Sequence, residues 1–158
     1  MISAQDFEKL RSSRPKGLSR LLLVARRNFV DEINKGICDS GLPPVPGSCL
    51  TILPYIDLEG TRSSEVANRA GMTKQAITQK MNQMEALGII EKRLDPNDAR
   101  AALVCYTELG ISYLIKIHEI VELIEDKLGS ELGEKKMRDL RFALEFMAYE
   151  WDQKINLR

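Results

Sequence analysis

The chain has 158 residues, 44% of them hydrophobic, and a formal net charge of zero. That length and composition allow one domain, or a small domain with dimerisation arms, whereas the zero charge excludes a strongly basic nucleic-acid-binding protein and leaves any DNA contact to a few placed cations. Three widely separated cysteines without a C-x-x-C pair, together with one histidine, argue against a disulfide framework and a metal site.

The first 47 residues are predicted to form helices and a connector. Residues 6–14 indicate a short charged helix or arm that ends at Pro15. From Leu18 to Ile37, apolar residues recur every three or four positions, which predicts a helix with one wide apolar stripe. Residues 36–47 contain three prolines and predict a rigid connector. Because no apolar run suits a signal peptide or a membrane span, we expect a cytoplasmic protein that binds no membrane.

Three basic side chains of this helix lie away from its apolar stripe. They are Arg20, Arg26 and Arg27. A solvated face is the favoured interpretation, and contact with phosphate groups is the alternative.

Residues 48–58 predict a second helix with Pro54 in its interior. A proline there removes one backbone hydrogen bond and bends the helix. The bend has two interpretations that the sequence leaves open: it shapes a ligand cleft, or it only sets a packing angle.

Residues 61–87 have the spacing of a helix-turn-helix. Ala67 is small where two helices would cross, and Gly71 stands where the first helix must stop and a left-handed backbone is needed. The hydroxyl of Thr73 is placed to cap the second helix, predicted from Lys74 to Leu87. The apolar side chains on the predicted inward stripe of this helix are Ile77, Met81, Met84 and Leu87.

The outer face of the second helix carries amides, a hydroxyl and a cation near its amino-terminal end. These groups read base edges and phosphates in a major groove. An ordinary solvated helix face is the alternative interpretation. The candidate DNA-binding residues on this face are Lys74, Gln75, Thr78, Gln79 and Asn82.

Residues 89–107 predict a β-hairpin, since residues 95–98 read Asp-Pro-Asn-Asp and have turn chemistry. A hairpin after a recognition helix is a wing. We expect Arg93 near the start of its tip and Arg100 on its returning arm, both within reach of the DNA backbone or minor groove. Asp98 is placed to hold Arg100 by a charge-assisted pair.

The run from Asp95 to Ala101, followed by Thr107-Glu108-Leu109-Gly110, resembles the wing signature of the MarR family of winged helix-turn-helix regulators. The likeness covers about residues 45–115. It implies a homodimer that binds palindromic operator DNA and usually represses. It also implies release by a small phenolic or other ligand in a cleft between the dimer helices and the DNA-binding lobe. Carried over by position, it assigns DNA contacts to Lys74, Gln75, Thr78, Gln79, Lys80, Asp98 and Arg100.

Two positions depart from the family pattern. Arg62 stands where the family tends to have a Ser or Thr helix cap, so the cap is predicted to shift to Ser63. Pro54 falls inside the preceding helix.

From Glu108 a long helix is predicted to break near Gly129, and another follows from about Leu132. With the amino-terminal helix, these helices have more apolar surface than a winged-helix lobe of this size can cover, which predicts a partner chain. The expected fold is mainly α (α+β), a winged helix-turn-helix with a small β wing and flanking dimerisation helices. The predicted divisions are residues 1–44, 45–107 and 108–158, with the DNA-binding domain in the middle.

Other reactive side chains favour structural roles. His118 is interpreted as an interface or surface residue, and Cys38 and Cys49 as inert, with an oxidation-sensing thiol at one of them as the alternative. The sequence does not decide whether Cys105 senses oxidation. Side chains that could line a pocket for a small aromatic effector, although core packing is favoured for each, are Phe29, Tyr55 and Met147.

Two functional hypotheses follow. The favoured one is a dimeric, sequence-specific transcriptional regulator, a repressor of MarR type, that binds double-stranded DNA without a cofactor or metal. The alternative is a winged-helix module for protein assembly that binds no specific DNA sequence. An enzyme is not expected, because no nucleophile with an oriented base and no phosphate-binding glycine loop is present.

Overall fold

The computed structural model of the chain describes residues 2–96 and 98–151, without the side chains of residues 98–100. These residues form a mainly helical fold with one three-stranded antiparallel sheet. The chain divides into two compact units, residues 1–117 and residues 118–158. The predicted α+β winged helix-turn-helix class is confirmed.

The first unit begins with two helices. Helix α1 (Ala4–Ser13) starts in a capping box, in which the side chain of Ser3 accepts from the backbone N–H of Asp6 and the Asp6 carboxylate accepts from the backbone N–H of Ser3. A 3₁₀ turn (Arg14–Lys16) separates it from helix α2 (Leu18–Asp39). Both predicted helices are confirmed.

Helix α2 extends further than predicted. Gly36 was assigned to the connector, but it lies inside the helix, which ends at Asp39. The physical reason is Ile37, which is fully buried, because burying its side chain outweighs the entropic cost of one helical glycine. The chain turns instead at Gly41, which has a φ of +82°.

Residues 48–58 do not form one helix, so that prediction is wrong. Helix α3 (Gly47–Leu50) is one turn long and is followed by a 3₁₀ turn (Leu53–Tyr55). Pro54 lies at the start of this turn, where a missing N–H costs nothing. It therefore marks the break between two short elements and does not bend a helix.

The helix-turn-helix consists of α4 (Ser63–Arg69) and α5 (Lys74–Ala86). Gly71 has a φ of +61°, and the N–H of Met72 donates to the carbonyl of Ala67 at 2.9 Å, which closes the first helix. The hydroxyl of Thr73 accepts from the N–H of Ala76 at 3.2 Å. The predicted turn and cap are confirmed.

The start of α4 differs from the prediction. Arg62 occupies the N-cap position without a side-chain cap, and Ser63 is the first helical residue rather than the cap. The sheet fixes the backbone here, because strand β1 (Thr61–Arg62) immediately precedes the helix.

The end of α5 also differs from the prediction. Leu87 was placed on the buried stripe, but it follows the last helical residue and is 37% exposed.

The wing is a hairpin of β2 (Ile90–Asp95) and β3 (Asp98–Tyr106), as predicted. The strand order is β1-β3-β2, so β3 lies in the centre of the sheet. Ile90 pairs with Tyr106 at the base, and the register is irregular between Leu94 and Asp95 beside the turn.

The core of the first unit joins α2, the helix-turn-helix and the sheet. Two buried tyrosines link segments that are distant in sequence. The hydroxyl of Tyr106 donates to the carbonyl of Leu53, and the hydroxyl of Tyr113 donates to the carbonyl of Pro43, each at 2.8 Å. The largest fully buried side chains include Ile37, Ile52, Val66, Ile77, Met84, Ile89 and Val104.

Helix α6 (Glu108–Leu132) runs from the first unit into the second, which also contains α7 (Glu134–Glu145) and one π-helical turn (Phe146–Glu150). The predicted break near Gly129 is wrong, because α6 continues to Leu132. Gly133, with a φ of +83°, is where the two helices part. None of the helices among the described residues is long and apolar enough to cross a membrane.

Candidate nucleic-acid interface

Helix α5 separates its buried and polar faces as its sequence predicts. Ile77, Met81 and Met84 are at most 2% exposed. Five of the six candidate residues on this helix are exposed and together line one open concavity on the opposite side. They are Lys74, Gln75, Thr78, Gln79 and Asn82. Three of these five residues carry side-chain amides, which suit hydrogen bonding to base edges.

Two members of the predicted set are constrained by local contacts. The hydroxyl of Thr78 donates to the carbonyl of Lys74 at 2.8 Å, which leaves the hydroxyl oxygen to accept. Lys80 is half-buried and is not among the residues that line the concavity. Its backbone carbonyl accepts from the thiol of Cys49 in α3 at 3.8 Å. Burial raises the pKa of the Cys49 thiol, and hydrogen bonding to Ser48 and the charge of Lys80 oppose the shift only in part.

The wing presents Arg93 on β2. Its guanidinium is 62% exposed and pairs with Glu91, two residues earlier on the same face of the strand, at 2.5 Å. Hydrogen bonding to Glu91 raises the pKa of Arg93. A phosphate that binds Arg93 must therefore compete with this carboxylate.

Asp98 and Arg100 lie on β3, so the backbone of the returning arm is where the sequence predicts it. Their side chains are outside the described residues, and so is the predicted pair between them.

An ion pair at the base of the turn was not predicted. Arg62 donates from Nε and from a terminal nitrogen to one carboxylate oxygen of Asp95, at 2.8 and 2.6 Å. Asp95 is only 7% exposed, although it lies beside the wing turn. The signal in the sequence was the departure of Arg62 from the Ser or Thr of the family pattern. The Arg62 side chain pairs with the wing instead of capping the helix.

A second link joins the wing to the recognition helix. Lys92 of β2 donates to Glu85 of α5 at 2.7 Å. Two ion pairs, Arg62 with Asp95 and Lys92 with Glu85, thus join β2 to the helix-turn-helix.

Arg69, at the end of α4, is occupied by two carboxylates. It pairs with Asp57 at 2.9 Å and also with Glu65. Hydrogen bonds from Arg69 and then Thr61 hold the pKa of Asp57 below its ordinary value. Arg69 is therefore neutralised within the fold and adds little to the charge available for DNA.

The remaining reactive groups do not form a second site in the described part of the chain. Cys38 is exposed, whereas Cys49 and Cys105 are buried. His118 is exposed and lies 3.3 Å from Glu122 on the same helix. No group of three or more His, Cys, Asp or Glu residues in the described ranges could hold a metal ion.

Comparison with known proteins supports the family suggested by the wing. The model of the MarR family matches residues 40–101, a segment that includes the helix-turn-helix and most of the wing. No curated protein matches the chain.

Solved structures match most of the chain at low identity. The transcriptional repressor CouR bound to a 23-mer DNA duplex is 19% identical with a TM-score of 0.66, over 86% of this chain and 95% of that one. MarR from E. coli in its apo form is 17% identical with a TM-score of 0.64, over 84% and 97%. CouR from Rhodococcus jostii RHA1 bound to p-coumaroyl-CoA is 20% identical with a TM-score of 0.62, over 87% and 93%.

At these identities the solved structures support the fold, whereas the family model supports the family over residues 40–101. The resemblance to the MarR family is therefore confirmed, and the described chain has the winged helix-turn-helix fold of MarR-family transcriptional regulators.

Proposed function

We propose that this chain is a dimeric, sequence-specific DNA-binding transcriptional regulator of MarR type that acts as a repressor. The observation that carries the proposal is the exposed polar face of α5, whose five side chains line one concavity while the opposite face is buried. A helix whose apolar face is buried in the core and whose amides face outward is suited to a major groove.

Each side chain has a role that follows from its chemistry. Gln75 and Gln79 read base edges, because an amide can both donate to and accept from adenine. The cations, together with Asn82, position the protein on phosphates and carry little sequence information. Thr78, whose hydroxyl proton is donated to the carbonyl of Lys74, can accept from a base amino group. The cations assigned to phosphates are Lys74, Lys80 and Arg93. Arg100, held by Asp98, probes the minor groove.

The flanking helices are proposed to make the dimer. In this division residues 1–44 and 108–158 dimerise and residues 45–107 bind DNA. Large apolar side chains in the terminal segments are exposed in the single chain, among them Phe7, Leu10, Leu21, Leu123, Phe142 and Tyr149. A two-fold dimer would place two α5 helices about one DNA turn apart, roughly 34 Å, which requires a palindromic operator.

A small aromatic effector is proposed to release the DNA. Phe29 and Tyr55, both half-buried in the first unit, are candidate contacts for such a ligand. CouR, a structural relative, has been solved bound to p-coumaroyl-CoA. A regulator that binds operator DNA acts in the cytoplasm, and no catalytic activity is proposed.

Selection of bound duplexes from a random pool, followed by affinity measurements on the selected sequence, tests the proposal. We expect an inverted repeat with half-sites about one turn apart. Gln75→Ala should weaken binding about 10-fold and relax the preference at one base pair of each half-site. Gln83→Ala is the matched control, because its amide on the same helix accepts from the Cys49 thiol.

Salt dependence separates DNA recognition from the protein-assembly alternative. Phosphate contacts give a steep fall of affinity with salt, and Lys74→Ala should reduce that slope by about one. An assembly module would yield no enriched repeat and no such slope, and that result would reject the proposal.

A further inference from the structure

Three arginines line one concavity near the amino terminus, and none of them is among the residues assigned to DNA. Arg11 comes from the last turn of α1, Arg14 from the 3₁₀ turn and Arg20 from the first turn of α2, and Pro15 lies between them. All four side chains are exposed. Two helices and the turn that joins them thus bring three arginine side chains to one concavity.

The segment around this cluster is strongly positive. Residues 9–27 contain seven basic side chains and no acidic one, although the whole chain has 23 of each sign. The basic residues of the segment are Lys9, Arg11, Arg14, Lys16, Arg20, Arg26 and Arg27. The neutral chain therefore carries a concentrated positive charge at one end.

Arginines in other parts of the fold are neutralised internally. Outside residues 9–27, every arginine whose side chain is described forms an ion pair with a carboxylate. They are Arg62, Arg69, Arg93, Arg138 and Arg141. Among the same described residues, Arg11, Arg14 and Arg20 have no carboxylate within ion-pair distance, so their charges are not neutralised by the fold.

A solvated surface is the simplest account of exposed arginines, but it does not explain their arrangement. Arg11 and Arg14 are three residues apart, where like charges repel. Arg20 lies in the first turn of α2, where the helix dipole disfavours a cation, and that turn has no acidic residue. An anion in the concavity would relieve both unfavourable interactions.

We propose that this cluster, Arg11, Arg14 and Arg20, is a binding site for phosphate groups. Guanidinium groups bind phosphate oxygens through paired, charge-assisted hydrogen bonds, which a lysine ammonium cannot reproduce. Three of them suit a polyanion with adjacent phosphates better than a single carboxylate. The phosphates belong either to a soluble di- or triphosphate compound or to the backbone of duplex DNA.

Calorimetric titration of the full chain with inorganic pyrophosphate is the first test, and it does not depend on the proposed regulation. One variant carries Arg11→Gln, Arg14→Gln and Arg20→Gln. The control variant carries Lys16→Gln, Arg26→Gln and Arg27→Gln, which removes the same charge from the same segment but leaves the concavity intact. We expect the cluster variant to lose about 10-fold or more in affinity and the control to change by about 3-fold or less. Circular dichroism of both variants verifies that they remain folded.

The second arm distinguishes the two sources of phosphate. The same variants are titrated with selected duplexes that have short and long flanks. A loss of affinity for the long duplex in the cluster variant alone assigns the phosphates to DNA, whereas a loss confined to pyrophosphate assigns them to a soluble compound. The proposal is overturned if the wild-type chain binds neither probe more tightly than the cluster variant, or if the two triple variants lose affinity equally.

Discussion

At the scale of single residues, Gly110 shows why the start of α6 cannot carry a side chain. A Cβ at this position would lie 2.0 Å from the carbonyl oxygen of Ile89, so the helix approaches the base of β2 through glycine alone. The hydroxyl of Thr107 completes the junction by donating to the carbonyls of Gly88 and Ile89 and accepting from the N–H of Gly110. Thr107 and Gly110 of the Thr-Glu-Leu-Gly run thus allow the start of α6 to pack closely against the backbone before β2.

We predict that Gly110→Ala destabilises the protein by about 1–3 kcal/mol, because the added methyl group displaces α6 from the sheet. Urea unfolding of the purified chain measures the change. Gly129→Ala is the control in the same helix, where a Cβ would meet nothing within 4 Å, and it should stabilise by up to about 1 kcal/mol. Equal effects of the two substitutions would contradict this account of Gly110.

Tyr106 links stability to pH. Burial, and to a smaller extent the negative charge of Asp57, raise the pKa of its hydroxyl above the ordinary value of 10.0. Since the unfolded chain ionises this tyrosine first, the contribution to stability is complete below pH 10 and is lost as the pH rises above it. Tyr106→Phe removes both this titration and the hydrogen bond to Leu53.

We therefore expect Tyr106→Phe to be less stable than the wild-type chain at about pH 8, by roughly 1 kcal/mol. The difference should shrink at about pH 11, because only the wild type then loses stability through this group. Denaturant midpoints of both proteins at the two pH values measure the effect. A difference that stays constant across this range would show that Tyr106 titrates alike in the folded and unfolded chains.

At the scale of elements, the ion pair between Arg62 and Asp95 joins the start of α4 to the wing turn. We predict that Arg62→Ala weakens operator binding and lowers stability by about 1–2 kcal/mol, because it removes two charge-assisted hydrogen bonds to a carboxylate that is only 7% exposed. Fluorescence anisotropy with the selected duplex measures the affinity. The exchange Arg62→Asp with Asp95→Arg should recover part of both losses. No recovery of affinity in the double variant would show that Arg62 does not position the wing.

The elements that the sequence predicts well are those with a long regular pattern. Helix α5 repeats Ile77, Met81 and Met84 over several turns, and the wing combines two strands with a turn of known chemistry, so local sequence suffices for both. Strand β1 has two residues and no period, and it exists only because β3 pairs with it. The prediction of one helix over residues 48–58 was wrong because Pro54 lies at the start of a separate 3₁₀ turn and not inside a continuous helix.

Candidate site residues were predictable to the extent that helical geometry fixes their direction. The period of α5 places Gln75, Gln79 and Asn82 on one face without any tertiary information. Lys80 was harder, because its half-buried position depends on the approach of α3, which brings Cys49 against α5. The pairs of Arg93 with Glu91 and of Arg62 with Asp95 could not be predicted from the sequence. The first depends on side-chain rotamers, and the second joins residues that are distant in sequence.

At the scale of the whole molecule, the terminal helices have more apolar surface than the single chain covers. In the second unit, Phe142 of α7 is 71% exposed, and Leu123 of α6 is 60% exposed. Side chains of this size gain about 2 kcal/mol each when they leave water. A second copy of the chain can supply that burial, and dimerisation would also set the spacing of the two recognition helices.

We accordingly predict that Phe142→Glu shifts the protein toward monomers and weakens binding to the palindromic duplex by about 10-fold or more, because two half-sites are then bound without a fixed spacing. Sedimentation velocity measures the oligomeric state, and anisotropy on full-site and half-site duplexes measures the affinity. Lys136→Gln is the control, since it changes the charge of α7 by the same amount at an exposed position. The effect should be large on the full site and small on the half-site, because α5 and the wing remain folded in the monomer. If Phe142→Glu remains a dimer, or if the wild-type chain is itself a monomer at the concentrations that bind DNA, the terminal helices do not pair as proposed.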